Sequence, residues 1–227
     1  MQENTGTKEL IYTCARNLFY QDGFSKTTIK AIAEKAGVNS ALISYYFGNK
    51  TNLAAAINNE YFAASKKAVR DCVLSIDPAA DLFLQSAVDI RITTRCFSES
   101  APLLRFYLEL NETNYYTNSQ IVSLDIFEKL NDEYSLNRSL DSIRAAAIGT
   151  YAVGFGLTAS RFNGMIHCTD EYIIRSIIDY HGLSMGFPEE QTMRVIEQSV
   201  PIADQINILV NDDFTVTCSC AGSPVSN

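Results

Sequence analysis

Residues 27–53 read TTIKAIAEKAGVNSALISYYFGNKTNL, and this stretch predicts two short helices joined by a tight turn. A hydroxyl on Thr27 or Thr28 can cap the first helix by accepting a hydrogen bond from a free backbone N–H. Apolar residues then recur at helical spacing and form one stripe: Ile29, Ile32, Ala33 and Ala36. Gly37 follows directly, and glycine readily takes the left-handed conformation that ends a helix.

The second helix begins at Asn39 or Ser40, either of which can cap it. Ile43 and Phe47 lie four residues apart and share one face, which we expect to be buried. The opposite, open face carries Ser40, Ala41, Ser44 and Tyr45. Two helices joined by a short turn that contains glycine are typical of DNA-binding helix-turn-helix motifs, whose second helix enters the major groove.

The residues at fixed offsets in this region resemble the N-terminal signature of the tetracycline-repressor (TetR) family: Thr28, Ala33, Ala36, Gly37, Val38, Tyr46, Phe47, Lys50 and Leu53. The resemblance covers Lys8 to Leu53, and the rest of the chain is similar to the family only in length and in its helical patterns. It implies a transcriptional repressor whose body holds a small-molecule effector that releases the DNA. One position departs from the family pattern: many members carry tyrosine where this chain has Ser44, which removes an aromatic contact to DNA.

We predict a DNA-binding surface from the residues on or beside the open face: Thr28, Lys30, Ser40, Ala41, Leu42, Ser44, Tyr45, Tyr46 and Lys50. The two serines can hydrogen-bond to base edges, and Ala41 or Leu42 can pack on a thymine methyl group. The tyrosine hydroxyls and the helix N-terminus at Thr28 suit phosphate oxygens, and the two lysines supply positive charge. Tyr46 has an alternative position, packed beneath Lys50 instead of facing DNA.

Positive charge is concentrated in the N-terminal part of the chain, which contains the predicted helix-turn-helix. Residues 1–70 contain nine basic and five acidic residues, a net charge of +4, which leaves −12 for the remainder of a chain whose total is −8. A basic head on an acidic body is expected where only the head touches phosphate. Acidic bodies are also common in soluble proteins, so the division supports the motif without identifying it.

Composition and pattern predict an all-α chain of 227 residues, 47% of them hydrophobic. We expect a helix-turn-helix domain over 1–50, a linking helix over 50–75, a helical body over 76–210 and a mobile tail over 211–227 without helical pattern. No strand alternation or internal repeat is apparent. No apolar run approaches the ~20 residues of a membrane span, and no signal peptide is visible, so we expect a cytoplasmic protein with reduced thiols.

The body is expected to make the dimer contact and the effector site. One small head offers too little contact for specificity, and dimers bind half-sites ~34 Å apart. We place the dimer contact on residues 139–163, together with 169–181 or 189–209; the alternative is an intramolecular core. Glycines inside 139–163 indicate close approach by another backbone or a ligand, or a kink. Four aromatic residues are candidate effector contacts, although a plain core also fits them: Phe106, Tyr107, Tyr151 and Phe155.

Other classes of function fit less well. Residues 182–186, GLSMG, match the G-x-S-x-G pattern of hydrolases, but that motif needs a preceding strand and a later histidine, whereas His167 and His181 both precede Ser184. No phosphate loop, dinucleotide fingerprint or metal-ligand cluster occurs, so we expect no enzyme, cofactor or metal. A helical module whose head binds protein instead of DNA is the remaining alternative, and the polar, methyl-bearing open face disfavours it.

Overall fold

The computed structural model describes residues 2–113 and 124–220. Within them the chain forms ten helices: α1 (Gln2–Lys26), α2 (Ile29–Ala36), α3 (Ser40–Phe47), α4 (Lys50–Ile76), α5 (Leu82–Glu99), α6 (Ala101–Asn111), α7 (Leu124–Glu133), α8 (Leu140–Phe162), α9 (Asp170–Met185) and α10 (Glu189–Ala203). Strands β1 (Ile206–Val210) and β2 (Val216–Cys220) pair as a hairpin. The predicted all-α class is confirmed, with the hairpin as a minor addition.

The described chain divides into two compact units. The first contains residues 2–64, 100–113 and 210–216, and the second contains 65–99, 124–209 and 217–220. Among the described residues, no helix combines the length and the apolar composition needed to cross a bilayer.

The first unit is built on the inner face of α1. Phe19 is fully buried, and its ring lies 5.4 Å from that of Phe106 on α6 and 5.9 Å from that of Phe24. Phe214, at the tip of the hairpin, stacks on Phe106 with ring centroids 4.7 Å apart. Polar contacts tie α1 to α4, because the Tyr12 hydroxyl donates to the Glu60 carboxylate at 2.5 Å.

The end of α1 is a corner where the helix breaks at Gly23. Gly23 has φ 85° and ψ 171°, a conformation that side chains strongly disfavour. The Arg105 guanidinium of α6 donates to the carbonyls of Tyr20 (2.9 Å) and Gln21 (2.8 Å). Glu109, one turn further along α6, accepts from the Ser25 N–H at 2.7 Å. Two charged side chains of α6 therefore satisfy backbone groups that the break in α1 leaves free.

The second unit packs α5 against α9 and α10 around a buried charge. Arg91 of α5 is 7% exposed, and its guanidinium donates to the Ser199 hydroxyl at 2.6 Å and to the Ile196 carbonyl at 3.0 Å. Its remaining donors meet the Glu171 carboxylate of α9 at 2.5 and 3.2 Å. A buried guanidinium satisfied in this way fixes the relative position of three helices.

The glycines of α8 allow close packing by α9. A Cβ atom on Gly149 would collide with the Tyr180 ring, and one on Gly154 would approach the Ile177 side chain to 3.3 Å. Gly156 is exposed, and a Cβ atom there would meet nothing within 4 Å. Glycines in this helix were expected to allow close approach by another backbone or a ligand, or a kink. Gly149 and Gly154 allow the close approach of another helix.

Two expectations for the C-terminal part of the chain are wrong. The last helix ends at Ala203, and residues 206–220 form the hairpin instead of a helical end and an unstructured tail. The hairpin turn is closed by the Asn211 N–H, which donates to the Thr215 carbonyl at 2.8 Å. The rest of the predicted tail, 221–227, and residues 114–123 of the predicted body lie outside the described residues.

A neutral histidine lies in the core of the second unit. His181 is 1% exposed, with its ring centroid 4.5 Å from that of Phe127 and 5.4 Å from that of Phe83. Burial, reinforced by the charge of Lys66, lowers the pKa of His181 from its ordinary 6.5 to about 3. Between pH 6.5 and about pH 3, His181 binds a proton in the unfolded chain but not in the folded chain. The contribution of neutral His181 to the free energy of unfolding is therefore complete above pH 6.5 and is lost as the pH falls.

We therefore expect His181 to make the protein acid-sensitive. Between pH 7 and pH 5 the wild-type free energy of unfolding should fall by about 2 kcal/mol through this group alone. In His181→Gln that part of the pH dependence should disappear, whatever the effect of the substitution at pH 7. Urea denaturation at a series of pH values measures it, with His167→Gln, at an exposed histidine, as the matched control. Equal pH slopes in wild type and His181→Gln would contradict the assignment.

Candidate nucleic-acid interface

Local capping signals build the α2–α3 pair. Thr28 is the N-cap of α2, and its hydroxyl accepts from the Ala31 N–H at 3.0 Å. Gly37 ends α2 in the left-handed conformation, with φ 64°. Asn39 caps α3, where its side chain accepts from the Ala41 N–H at 2.8 Å. The predicted helix, turn and helix are confirmed. Of the two candidate cap residues for each helix, Thr28 caps α2 and Asn39 caps α3.

The short helix α3 rests on one fully buried side chain, Ile43. Phe47, on the same face, is half-buried and lies 6.3 Å from the Tyr12 ring of α1. The face opposite Ile43 is exposed along its whole length, and its outermost residue, Tyr45, is 72% exposed. The exposed positions are Ser40, Ala41, Ser44 and Tyr45, and Leu42 and Tyr46 are half-buried at its edges.

The two tyrosines at the end of this face contact each other. The Tyr45 and Tyr46 rings lie 5.0 Å apart, edge to face, and Tyr46 lies 6.4 Å from the Phe47 ring. Tyr46 therefore supports Tyr45 from the side. The face presents hydroxyl groups, a methyl group and an aromatic ring, which are groups that can contact base edges and phosphates in a major groove.

Lys50 is half-buried, and its ammonium group contacts backbone carbonyls of the α1–α2 corner. Its ammonium donates to the carbonyls of Phe24 (2.8 Å) and Thr27 (2.9 Å) and lies 4.1 Å from the centre of the Phe24 ring. Burial lowers the pKa of Lys50, and the nearby Glu109 carboxylate opposes that shift. In this arrangement Lys50 joins the start of α4 to the α1–α2 corner. The sequence alone does not indicate this role, because both carbonyls are distant from Lys50 along the chain.

Positive charge near the N-terminus of α2 comes from exposed lysines. Lys30 is largely exposed and pairs with Glu34 at 3.7 Å, an i,i+4 contact that contributes little and leaves the ammonium in water. Lys26, exposed in the last turn of α1, precedes the Thr28 cap by two residues. Lys26 was not among the predicted site residues, although its place beside a helix N-terminus was a usable signal.

The four predicted effector residues fall into two separate groups. In the first unit, Phe106 and Tyr107 are 1% and 5% exposed and belong to its core. In the second unit, Tyr151 and Phe155 lie on α8, half-buried, with parallel rings 6.5 Å apart. A groove of ≈ 590 Å³ in the second unit is lined by other residues, among them Asp77, Asp81, Leu84, Glu190 and Arg194.

The serine of the G-x-S-x-G match lies in helical structure. Gly182 and Ser184 belong to the last turns of α9, and Gly186 is its left-handed cap. The Ser184 hydroxyl donates to the His181 carbonyl of the preceding turn at 3.0 Å. The strand-to-helix turn that exposes a nucleophile in hydrolases is replaced here by a continuous helix.

Comparison with known proteins identifies the family of the helix-turn-helix region. Residues 11–57 match the family model of bacterial regulatory proteins of the tetR family. The chain is 36% identical over 86 residues to the probable HTH-type transcriptional regulator YttP of Bacillus subtilis (strain 168), a match that spans 37% of this chain and 42% of that protein. It is 31% identical over 140 residues to the HTH-type transcriptional regulator BetI of Proteus mirabilis (strain HI4320), a match that spans 60% of this chain and 70% of that protein.

The chain belongs to the TetR family. It is therefore a helix-turn-helix transcriptional regulator and not an enzyme.

Two solved structures share the fold. The chain aligns with RolR in complex with resorcinol at a TM-score of 0.57, with 17% identity over 90% of this chain and 96% of that one. With RolR without ligand the TM-score is 0.52, with 15% identity over 83% of this chain and 96% of that one. At this level of identity the likeness concerns the fold alone.

The position of Lys50 leads to a stability test. Lys50→Met keeps the aliphatic stem but removes the ammonium, so the carbonyls of Phe24 and Thr27 lose a charged donor. We expect a loss of about 1–3 kcal/mol in the free energy of unfolding, measured by urea denaturation. Lys35→Met, at an exposed lysine of α2, is the matched control and should change stability by less than about 0.5 kcal/mol. Equal effects of the two substitutions would show that the Lys50 contacts contribute nothing.

Proposed function

We propose that this TetR-family regulator binds a palindromic operator as a homodimer, acts as a repressor in the cytoplasm, and is released from DNA by a small-molecule effector. In this proposal, residues 1–50 bind DNA, the helix over 50–75 links them to the body, and the body over 76–210 holds the effector and the dimer contact. The observation that carries the proposal is the fully exposed face of α3, which is held in place by the buried Ile43 on its other side.

Each exposed group on this face has a chemical role in the proposed complex. Ser40 and Ser44 hydrogen-bond to base edges, and Ala41 packs on a thymine methyl group with Leu42 beside it. The Tyr45 hydroxyl donates to a phosphate oxygen, and Tyr46 braces it. Because no arginine lies on α3, bidentate contacts to guanine are absent from this face, and specificity depends more on methyl contacts and DNA shape.

The N-terminus of α2 supplies the second phosphate contact. Its free N–H groups and the exposed Thr28 favour an anion, and the Lys30 and Lys26 ammonium groups add positive charge nearby. Lys50 also remains in the proposed interface, in an anchoring role: it fixes the corner from which α2 starts, because its ammonium is already bound to two carbonyls.

DNA binding is tested by fluorescence anisotropy on DNA that flanks the gene, or on a site selected from random DNA, with a random duplex as control. We expect specific binding to weaken about tenfold in Tyr45→Ala and to be lost steeply with salt, because phosphate contacts release counterions. Tyr45→Phe is the matched variant: it keeps the ring and removes only the hydroxyl, so it separates a phosphate hydrogen bond from ring packing. Tyr45 is 72% exposed, so both variants should keep the wild-type melting temperature.

The alternative function, a helical module that binds protein through its head, gives a different result in that assay. Such a module would bind both duplexes weakly and equally, and Tyr45→Ala would change neither affinity. A specific, salt-dependent preference for one duplex excludes it.

The proposed dimer contact uses the outer faces of α8 and α9. On α8 an apolar stripe of small residues and Ile148 recurs at helical spacing and is exposed: Ala145, Ile148, Ala152 and Gly156. The packing of α9 against Gly149 and Gly154 leaves this stripe exposed. On α9, Tyr172 and Leu183 are 57% and 75% exposed. Small residues allow a second backbone to approach closely, which favours a helix-on-helix contact between copies.

A charge in this stripe should break the dimer. In Ile148→Glu we expect the molar mass in solution, measured by light scattering during gel filtration, to fall from two chains to one. Ile148 is 50% exposed, so the monomer should remain folded by circular dichroism. Leu10→Glu, at a leucine of similar exposure on α1, is the control and should leave the mass unchanged. A dimeric Ile148→Glu protein would place the interface elsewhere.

Effector release follows a physical route through α6 in this proposal. One side of α6 carries the buried Phe106 and Tyr107, and the other carries Arg105 and Glu109, which hold the α1 corner. A ligand that displaces the aromatic side would shift the charged side and with it the base of α2. RolR has been solved with resorcinol, which supports a small aromatic molecule as a first effector to test here. Tyr151 and Phe155, within the second unit, are a separate pair of candidate effector contacts. A ligand acts in this way only if it binds one head position more tightly than the other.

A further inference from the structure

Three thiols meet in the second unit, and the proposed function assigns no role to any cysteine. Cys72 of α4 and Cys218 of β2 have their sulfur atoms 3.5 Å apart. Cys220 follows Cys218 by two residues, so it lies on the same face of β2 and also hydrogen-bonds to Cys72. All six cysteines of the chain lie within the described residues, and none is in a disulfide.

We infer that Cys72 and Cys218 form a thiol-modification site, at which a small disulfide such as oxidised glutathione closes a reversible disulfide between α4 and the hairpin. The two sulfur atoms are already in van der Waals contact. A disulfide bond is about 2.05 Å long, so the sulfurs must approach by only about 1.5 Å. Rotation of two side chains and a small shift of a two-stranded hairpin can supply that movement.

Exposure decides which thiol reacts first. Cys218 is half-buried and open to a small reagent, whereas Cys72 is 8% exposed. The Arg95 guanidinium, which donates to the Ala203 and Ile206 carbonyls before and within β1, stabilises a thiolate on Cys218. Thiol exchange requires a thiolate and access to the reagent. Cys218 is the more accessible of the two thiols, and the Arg95 charge partly offsets the burial that disfavours its thiolate.

The chemistry proceeds in two balanced steps. The Cys218 thiolate attacks one sulfur of oxidised glutathione, and a bond forms between them while one glutathione thiolate leaves. The Cys72 thiolate then attacks the Cys218 sulfur, the Cys72–Cys218 bond forms, and the second glutathione thiolate leaves. The protein loses two electrons and two protons, and one glutathione disulfide is reduced to two thiols.

The rate of this exchange should be slow at neutral pH. Burial raises the pKa of Cys72, and its hydrogen bonds to Cys220 and Cys218 raise it further. Burial also raises the pKa of Cys218, while its contact with Cys72 and the Arg95 charge oppose that shift. Since only the thiolate reacts, the rate should rise about tenfold per pH unit from pH 7 to pH 9. This behaviour fits a pair that responds to sustained oxidation of the thiol pool.

The bond would restrain two distant parts of the chain. Cys72 and Cys218 are 146 positions apart, and α4 is the helix that begins directly after the helix-turn-helix. A cross-link across so long a loop reduces the conformational freedom of the unfolded chain. We expect the melting temperature of the oxidised protein to be higher by about 5–10 °C. This inference does not depend on DNA binding.

Peptide mapping of the full-length protein tests the inference. The protein is incubated with oxidised glutathione, remaining thiols are blocked with N-ethylmaleimide, and digested peptides are identified by mass spectrometry. We expect a cross-linked peptide pair that contains Cys72 and Cys218, reversed by dithiothreitol. Cys72→Ser should stop at the mixed disulfide, with glutathione retained on Cys218. Cys220→Ser and Cys96→Ser, the latter at a buried cysteine elsewhere, should still form the cross-link.

Three results would overturn the inference. One is a bond between Cys218 and Cys220 in the wild type, and another is glutathione that remains on Cys218 although Cys72 is present. The third is retention of all six thiols under conditions that oxidise the urea-unfolded chain. Because the first measurement uses the wild-type protein, a variant that fails to fold leaves the outcome intact.

Discussion

The corner at Gly23 is the constraint on which the DNA-binding head depends. Breaking α1 there turns the chain toward α2, but it also leaves carbonyl and N–H groups that must find partners. Those partners are side chains from three directions: Thr27 of the corner itself, Lys50 of α4, and Arg105 with Glu109 of α6. The direction of α2, and through it that of α3, is therefore set by charged groups that belong to other helices. The contacts from α6 are therefore part of what holds α2 in position.

The parts of the structure that follow local rules could be predicted from the sequence. Thr28, Gly37 and Asn39 act on residues within four positions of themselves, so α2, the turn and α3 could be placed from one stretch of sequence. The exposed face of α3 follows from helical geometry once Ile43 is known to be buried. The linking helix expected over 50–75 corresponds closely to α4 (Lys50–Ile76).

The parts that depend on distant partners could not be predicted. Lys50 resembles any surface lysine until the carbonyls of Phe24 and Thr27 are placed beside it. The hairpin was missed because strands of five residues give little periodic signal and gain their stability from pairing. The run Asn211–Asp212–Asp213 between two apolar segments was a turn signal that could have indicated it. Similarly, His181 fits a helical stripe, but only the surrounding phenylalanines show that it is neutral.

The way α3 is held has a consequence for evolution. Its attachment to the protein uses the Asn39 cap and the inward side chains Ile43 and Phe47, while its four outward residues contribute almost nothing to the core. Substitutions at Ser40, Ala41, Ser44 and Tyr45 can therefore accumulate with little effect on folding. The surface chemistry of this face can therefore change within a few mutational steps while the scaffold stays equally stable.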